Sequence, residues 1–128
     1  MIYSTKQKES LYALGRMYLE LGYLIPAERI FNGIVSVDKD FAAAGLGLGM
    51  ARLERGLQEE AVSAFRQVLE VEGYAFEARL GMCLAFIAQG EEDRAASVLK
   101  ELYSSGMISS AAGAQRVFYD SLRKRCGL

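Results

Sequence analysis

Residues 48–65 read LGMARLERGLQEEAVSAF, and this stretch decides the fold. Moved back by 34 residues, its register falls on LGRMYLELGYLIPAERIF at 14–31. Moved forward by 34, it falls on MCLAFIAQGEEDRAASVL at 82–99. Gly15, Gly49 and Cys83 coincide, as do Gly22, Gly56 and Gly90. Ala27, Ala61 and Ala95 follow in step, then Phe31, Phe65 and Leu99, and Leu14, Leu48 and Met82 complete the register. Self-similarity at a period of roughly 20–50 residues marks stacked units, none of which can bury its apolar face alone.

Inside each unit the apolar spacing is helical. Leu11, Leu14, Tyr18 and Leu21 recur at intervals of three and four residues, which puts them on one helical face. Gly22 then supplies a stop that needs positive φ. Pro26 fits the first turn of the next helix, where a missing N–H costs little. Ala27, Ile30, Phe31 and Ile34 form the buried face of that second helix. The pattern predicts helices near 5–21, 24–37, 41–55, 58–71, 75–89 and 92–104, with one more at 108–125. The expectation is an all-α solenoid of three helix-turn-helix repeats, at about 8–41, 42–75 and 76–109, closed by a C-terminal capping helix. Residues 1–128 would form one domain. Gly15 and Gly49 are expected where the first helix of a unit touches the second, opposite Ala27, Ala61 and Ala95. A helical glycine costs about 1 kcal/mol against alanine, which close approach must offset.

Composition narrows the function. Hydrophobic residues make up 52% of the 128, charged residues 24%, and the net charge is −1. That balance gives no general field for nucleic acid or an anionic membrane. The chain has no histidine, and its two cysteines, Cys83 and Cys126, stand far apart. No catalytic base–nucleophile pair, metal site or cofactor is expected from such a set. The glycines of AAAGLGLGM at 42–50 lack the strand and the Lys-Ser or Lys-Thr of a phosphate loop, and they fall in repeat register. The opening MIYSTKQKES has no apolar signal core, and no uncharged apolar run reaches the ~18 residues of a membrane span. The expectation is a cytoplasmic protein with no membrane insertion. Arg116, Arg123, Lys124 and Arg125, interleaved with Phe118, Tyr119 and Leu122, suit a solvated cap.

LYALGRMYLELG with AERIF, LGMARLERGLQEEAVSAF, and LGMCLAFIAQGEEDRAASVL resemble the tetratricopeptide repeat (TPR) signature. Leu11 stands for its usual Trp, Arg52 for its Tyr, and Lys39, Gly73 and Met107 for its boundary Pro. In size and layout the chain also resembles the small TPR chaperones of bacterial type III secretion systems. TKQKESLYALGRMYLELGYLIPAERIF looks especially like the class that pairs with a small early-exported protein, and also like the translocator chaperones.

The TPR resemblance implies that the first helices line a concave groove. Carried over residue by residue, the groove positions are Tyr12, Arg16 and Leu19, then Leu46, Met50 and Leu53, then Leu80, Leu84 and Ile87. This surface is apolar at its centre. It does not carry the Lys, Arg and Asn set with which some TPR proteins clamp acidic C-termini. The implied partner is a protein client, a small secreted or secretion-apparatus component, presented as a helix or extended segment. A chaperone of type III secretion is the leading expectation. A generic TPR scaffold is the alternative, or a self-assembling protein whose partner is a second copy of the chain. An enzyme is not expected.

Overall fold

The computed structural model describes residues 3–104, 120–124 and 127. Every regular element among them is helical: α1 Thr5–Glu20, α2 Leu24–Val37, α3 Ala42–Glu54, α4 Gln58–Leu69, α5 Ala75–Ala88 and α6 Glu92–Ser104. These bounds lie within two residues of those the periodicity predicts. Most of the helix expected at 108–125, and Cys126 beyond it, lie outside the described residues. Its described part, 120–124, is helical.

Local signals set the helix ends. Ser4 and Gln7 form a capping box, with Gln7 N–H donating to Ser4 Oγ at 3.1 Å and Ser4 N–H to Gln7 Oε1 at 2.8 Å. Two orphan donors of α1 are thereby satisfied. At the three within-unit turns Gly22, Gly56 and Gly90 take φ of +85°, +82° and +79°. The next N–H reaches back to the preceding helix each time, Tyr23 to Tyr18 O, Leu57 to Arg52 O and Glu91 to Phe86 O. This is the Schellman stop, and it turns the chain sharply enough for the second helix to fold back.

The core is built on rings pressed against bare backbone. Phe31 and Phe65 are fully buried. A methyl added at Gly15 would stand 2.8 Å from the Phe31 ring, and one at Gly47 would stand 2.7 Å from it. Phe65 lies likewise between Gly49 and Gly81, where a methyl would stand 2.5 Å away at Gly81 and closer still at Gly49. Each ring of a second helix is therefore gripped by the first helix of its own unit and the first helix of the next. The ring lies over the glycine, where the repeat pattern alone suggests alanine. Ala27, Ala61 and Ala95 are fully buried, but a methyl is too short to bridge two first helices. In the third unit, buried Cys83 replaces the glycine and buried Leu99 the ring. A larger side chain on one helix is offset by a smaller one on the other.

The helices form two layers. Consecutive helices pack along the whole chain, and α1 also touches α3, and α3 touches α5. The layer whose members touch one another is the inside of the bend, so α1, α3 and α5 face the concave side. Leu122, from residues 120–124, is buried in the same cluster as Leu80, Phe86 and Leu102, and the Arg123 guanidinium lies 5.5 Å from the Tyr103 ring of α6. Ion pairs lie at the edges of the first two units. Arg52, at the usual TPR tyrosine position, approaches Glu28 of α2 at 3.5 Å and donates to Glu60 O at 3.2 Å. Arg55 also pairs with Glu28. Lys8 of α1 meets Asp38 of the α2–α3 turn at 2.9 Å.

Two outcomes are expected. Gly49→Ala gains helix propensity of about 1 kcal/mol but overpacks Phe65, a cost of about 1–3 kcal/mol. Urea denaturation followed by circular dichroism should show a net loss of stability, and Phe65→Leu added to it should cost less than the two changes summed. The Lys8 hydrogen bond holds the Asp38 carboxyl below its ordinary value of 3.8. A carboxylate lowered on folding adds stability that is present above that ordinary value and disappears as pH falls through the lowered one. Asp38→Asn should therefore flatten the acid limb of the stability–pH curve and leave its alkaline limb unchanged.

Candidate functional site

The inner row of helices brings the sequence-derived groove positions onto one side, but it does not treat them alike. On α1, Tyr12 is half-buried, its ring 5.9 Å from both Phe31 and Phe41. It serves the core on one edge and the inner surface on the other. Leu19 is also half-buried against the Phe31 cluster. Arg16 is exposed and pairs with Glu20 one turn later at 3.1 Å. Its guanidinium is held further into the charged form, first by Tyr12 and then by Glu20. It stands on the rim as an exposed, weakly paired cation.

The centre of the surface comes from α3 and α5. Leu46, Met50 and Leu53 on α3, and Leu84 and Ile87 on α5, are half-buried, each packed on the central core along one side and open along the other. Leu80 differs. It is only 5% exposed and belongs to the core itself. A substitution there reads out the fold, whereas the other five have free surface. Such half-open Leu, Met and Ile side chains on adjacent helices form an apolar strip, and Met50 gives it adaptability.

Why the strip exists follows from the packing below it. Gly45, Gly47 and Gly49 all lie on α3, and they give their faces to Val68, Phe31 and Phe65 respectively. The glycine-rich run is thus consumed by close helix approach to α2 and α4. It leaves Leu46, Met50 and Leu53 as the bulky side chains of α3 on the remaining, inward side.

Nothing in this strip resembles a reaction centre. The described residues contain no group of three or more His, Cys, Asp or Glu positioned to hold a metal. Cys83 is buried, its thiol 3.6 Å from the Ala95 carbonyl oxygen it can donate to. No helix among the described residues is long and apolar enough to cross a membrane. A second apolar surface lies on the opposite side of α1, where the sequence spacing sets Leu14 and Leu21 on one face with Leu11 and Tyr18 but does not show that the face is open. There Leu14, Met17 and Leu21 are exposed, beside a depression lined by Tyr3, Gln7, Ser10 and Leu11. Residues 10, 14, 17 and 21 share one helical stripe.

No family model matches the chain, and no curated protein matches it. Solved structures do. PcrH from Pseudomonas aeruginosa superposes with a TM-score of 0.85 at 23% identity, covering 98% of this chain and 96% of that one. PcrH in complex with the chaperone binding region of PopD gives 0.77 at 26% identity, covering 98% and 89%. The Yersinia enterocolitica type III secretion chaperone SycD, in complex with a peptide of the translocator YopD, gives 0.73 at 17% identity, covering 95% and 96%. The chain therefore has the helical-repeat fold of the type III secretion translocator chaperones. Of the two chaperone classes the sequence resembles, these neighbours belong to the translocator class. Chaperones of this kind are a non-enzymatic class.

An apolar strip whose sequence-derived groove positions carry one arginine, in an exposed pair with Glu20, lacks the set of cations that a carboxylate clamp needs. A fluorescently labelled peptide with an acidic C-terminus should show no saturable anisotropy change with the chain at physiological salt. Saturable binding lost in Arg16→Ala would contradict this electrostatic description.

Proposed function

We propose that the chain is a cytoplasmic chaperone of a bacterial type III secretion system that holds one protein client in its concave groove until export. The observation that carries this reading is the half-open strip of Leu46, Met50, Leu53, Leu84 and Ile87. It stands in a fold whose solved neighbours are seen with the chaperone binding regions of PopD and PopB and with a YopD peptide. Tyr12, Arg16 and Leu19 extend the strip along α1, and Leu80 supports it from beneath.

The mechanism is burial. Apolar anchors of the client replace water against Leu and Met side chains, at about 25 cal/mol per Å² of apolar area removed from water. The ordering of a flexible client segment offsets part of this gain. A few anchors on a strip of this size give binding that is specific but reversible, which suits a client that must be surrendered at an export gate. While bound, the client cannot use the same apolar segment to aggregate or assemble. The repeats at about 8–41, 42–75 and 76–109, with the C-terminal segment, would act as one rigid cradle.

The test is capture of the tagged chain from its native cytosol, with Leu46→Glu and Leu84→Glu beside it. One small protein is expected at near 1:1 with the unaltered chain and none with either variant, both variants keeping full helicity by circular dichroism. Recovery of several large complex components that ignore both substitutions would favour a general scaffold instead.

A further inference from the structure

The 34-residue register lets the two junctions between units be compared side chain by side chain, and different chemistry closes their edges. At the first junction Glu28 of α2 reaches the end of α3, where it lies 3.5 Å from Arg52 Nε and also pairs with Arg55. Thirty-four residues on, the same three positions are Val62 of α4 and Phe86 and Gln89 of α5. Val62 and Phe86 are buried. Lys8 of α1 bonds to Asp38 in the turn leading into α3 at 2.9 Å, and its counterpart Ala42 is buried. Charges thus stand at the first junction where the second has buried apolar side chains.

The buried residues divide in the same region. Ala27, Phe31 and Ile34 of α2 form one cluster with Ala44 and Leu48 of α3 and Ala64 of α4. Val62 and Phe86 belong to another, which runs on through Leu99 and Leu102 of α6. The centres of the junctions are alike, each an aromatic ring between two glycines, so the edges are where they differ. An apolar edge is closed by its own burial, and exposing it costs about 25 cal/mol per Å². An ionic edge opens at lower cost, because water solvates the separated charges. The side chains of Glu28, Arg52 and Arg55 are 18%, 22% and 33% exposed, so water already reaches this edge.

We propose that Glu28 is the latch of a hinge between the first and second units. Closed, as in this structure, it holds the α1–α2 pair against α3, and the groove is the cradle described above. Released, the first unit swings about the Phe31 seat. Tyr12, Arg16 and Leu19 then shift against Leu46, Met50 and Leu53, while the second junction keeps Leu84 and Ile87 in place. The functional meaning of this motion rests on the client-holding reading of the groove: the swing loosens the hold on a client without unfolding a repeat. The hinge itself is a property of the chain alone and is tested without a client.

Arg29, Ser63 and Ser97 occupy one register position on α2, α4 and α6, and all three are exposed. Spin labels carried there on p-acetylphenylalanine leave both cysteines untouched. The pair at 29 and 63 spans the first junction, and the pair at 63 and 97 spans the second. Double electron–electron resonance on the full chain should give one narrow distance for each pair. Glu28→Gln leaves two guanidinium groups side by side without their carboxylate. It should broaden the 29–63 distribution and leave 63–97 unchanged, with helicity retained by circular dichroism. Raising NaCl from about 0.05 M to about 1 M, where the screening length falls to about 3 Å, should broaden 29–63 in the unaltered chain and add nothing in Glu28→Gln. A 29–63 distribution that ignores both Glu28→Gln and salt would overturn the hinge, as would a 63–97 distribution that broadens alongside it. Failure of the client capture would remove the groove's client and leave this result standing.

Discussion

An aromatic ring held between two glycines on different helices is the contact on which the rest of this structure depends. Phe31 bridges Gly15 and Gly47, and Phe65 bridges Gly49 and Gly81. Each ring sets two distances at once, between the helices of its own unit and between its unit and the next. Because interiors are close-packed, neither distance can relax without a void or a clash. The two contacts therefore propagate one geometry along the chain, and the repeat in the sequence is the record of that requirement. The third unit meets it with the Cys83 and Leu99 exchange.

The candidate site is a consequence of the same contact. A helix that turns its glycines toward two neighbours has few bulky side chains left, and on α3 these fall on the inner side. Leu46, Met50 and Leu53 are held at their bases by the core and open at their tips. With Leu84 and Ile87 of α5 they make an apolar strip backed by the packed core. In the proposed complex a strip backed by the core would lose little freedom on binding, which lets a modest area give useful affinity. An apolar surface left open in this way is uncommon on soluble monomers, and it is the observation on which the proposed client site rests.

Much of this was legible in the residues. The 34-residue register gave the helix spans and the positive-φ stops, because both depend on local chemistry that recurs in each unit. The partner of each glycine was not legible. Alanine and phenylalanine both recur in register, and only the packed structure shows that the ring reaches two helices while the methyl does not. Gly47 and Gly81 do carry the signal, being 34 residues apart, but their counterpart in the first unit is Ala13, so only two of the three units show it. Leu80 sits on the expected face yet is buried, because helical spacing assigns a direction and not a depth. The outer stripe of α1 is visible as a pattern, but its openness follows from there being no preceding second helix over it among the described residues.

The most direct test of the account is site-specific photocrosslinking in the native bacterium. A photoreactive phenylalanine replaces Met50 on the inner strip in one strain and Ser63 on the outer side of α4 in another. The account expects position 50 to give one adduct with a single small protein and position 63 to give none. Adducts from position 63 alone, or the same set of large proteins from both positions, would contradict the claim that a client is held in the groove.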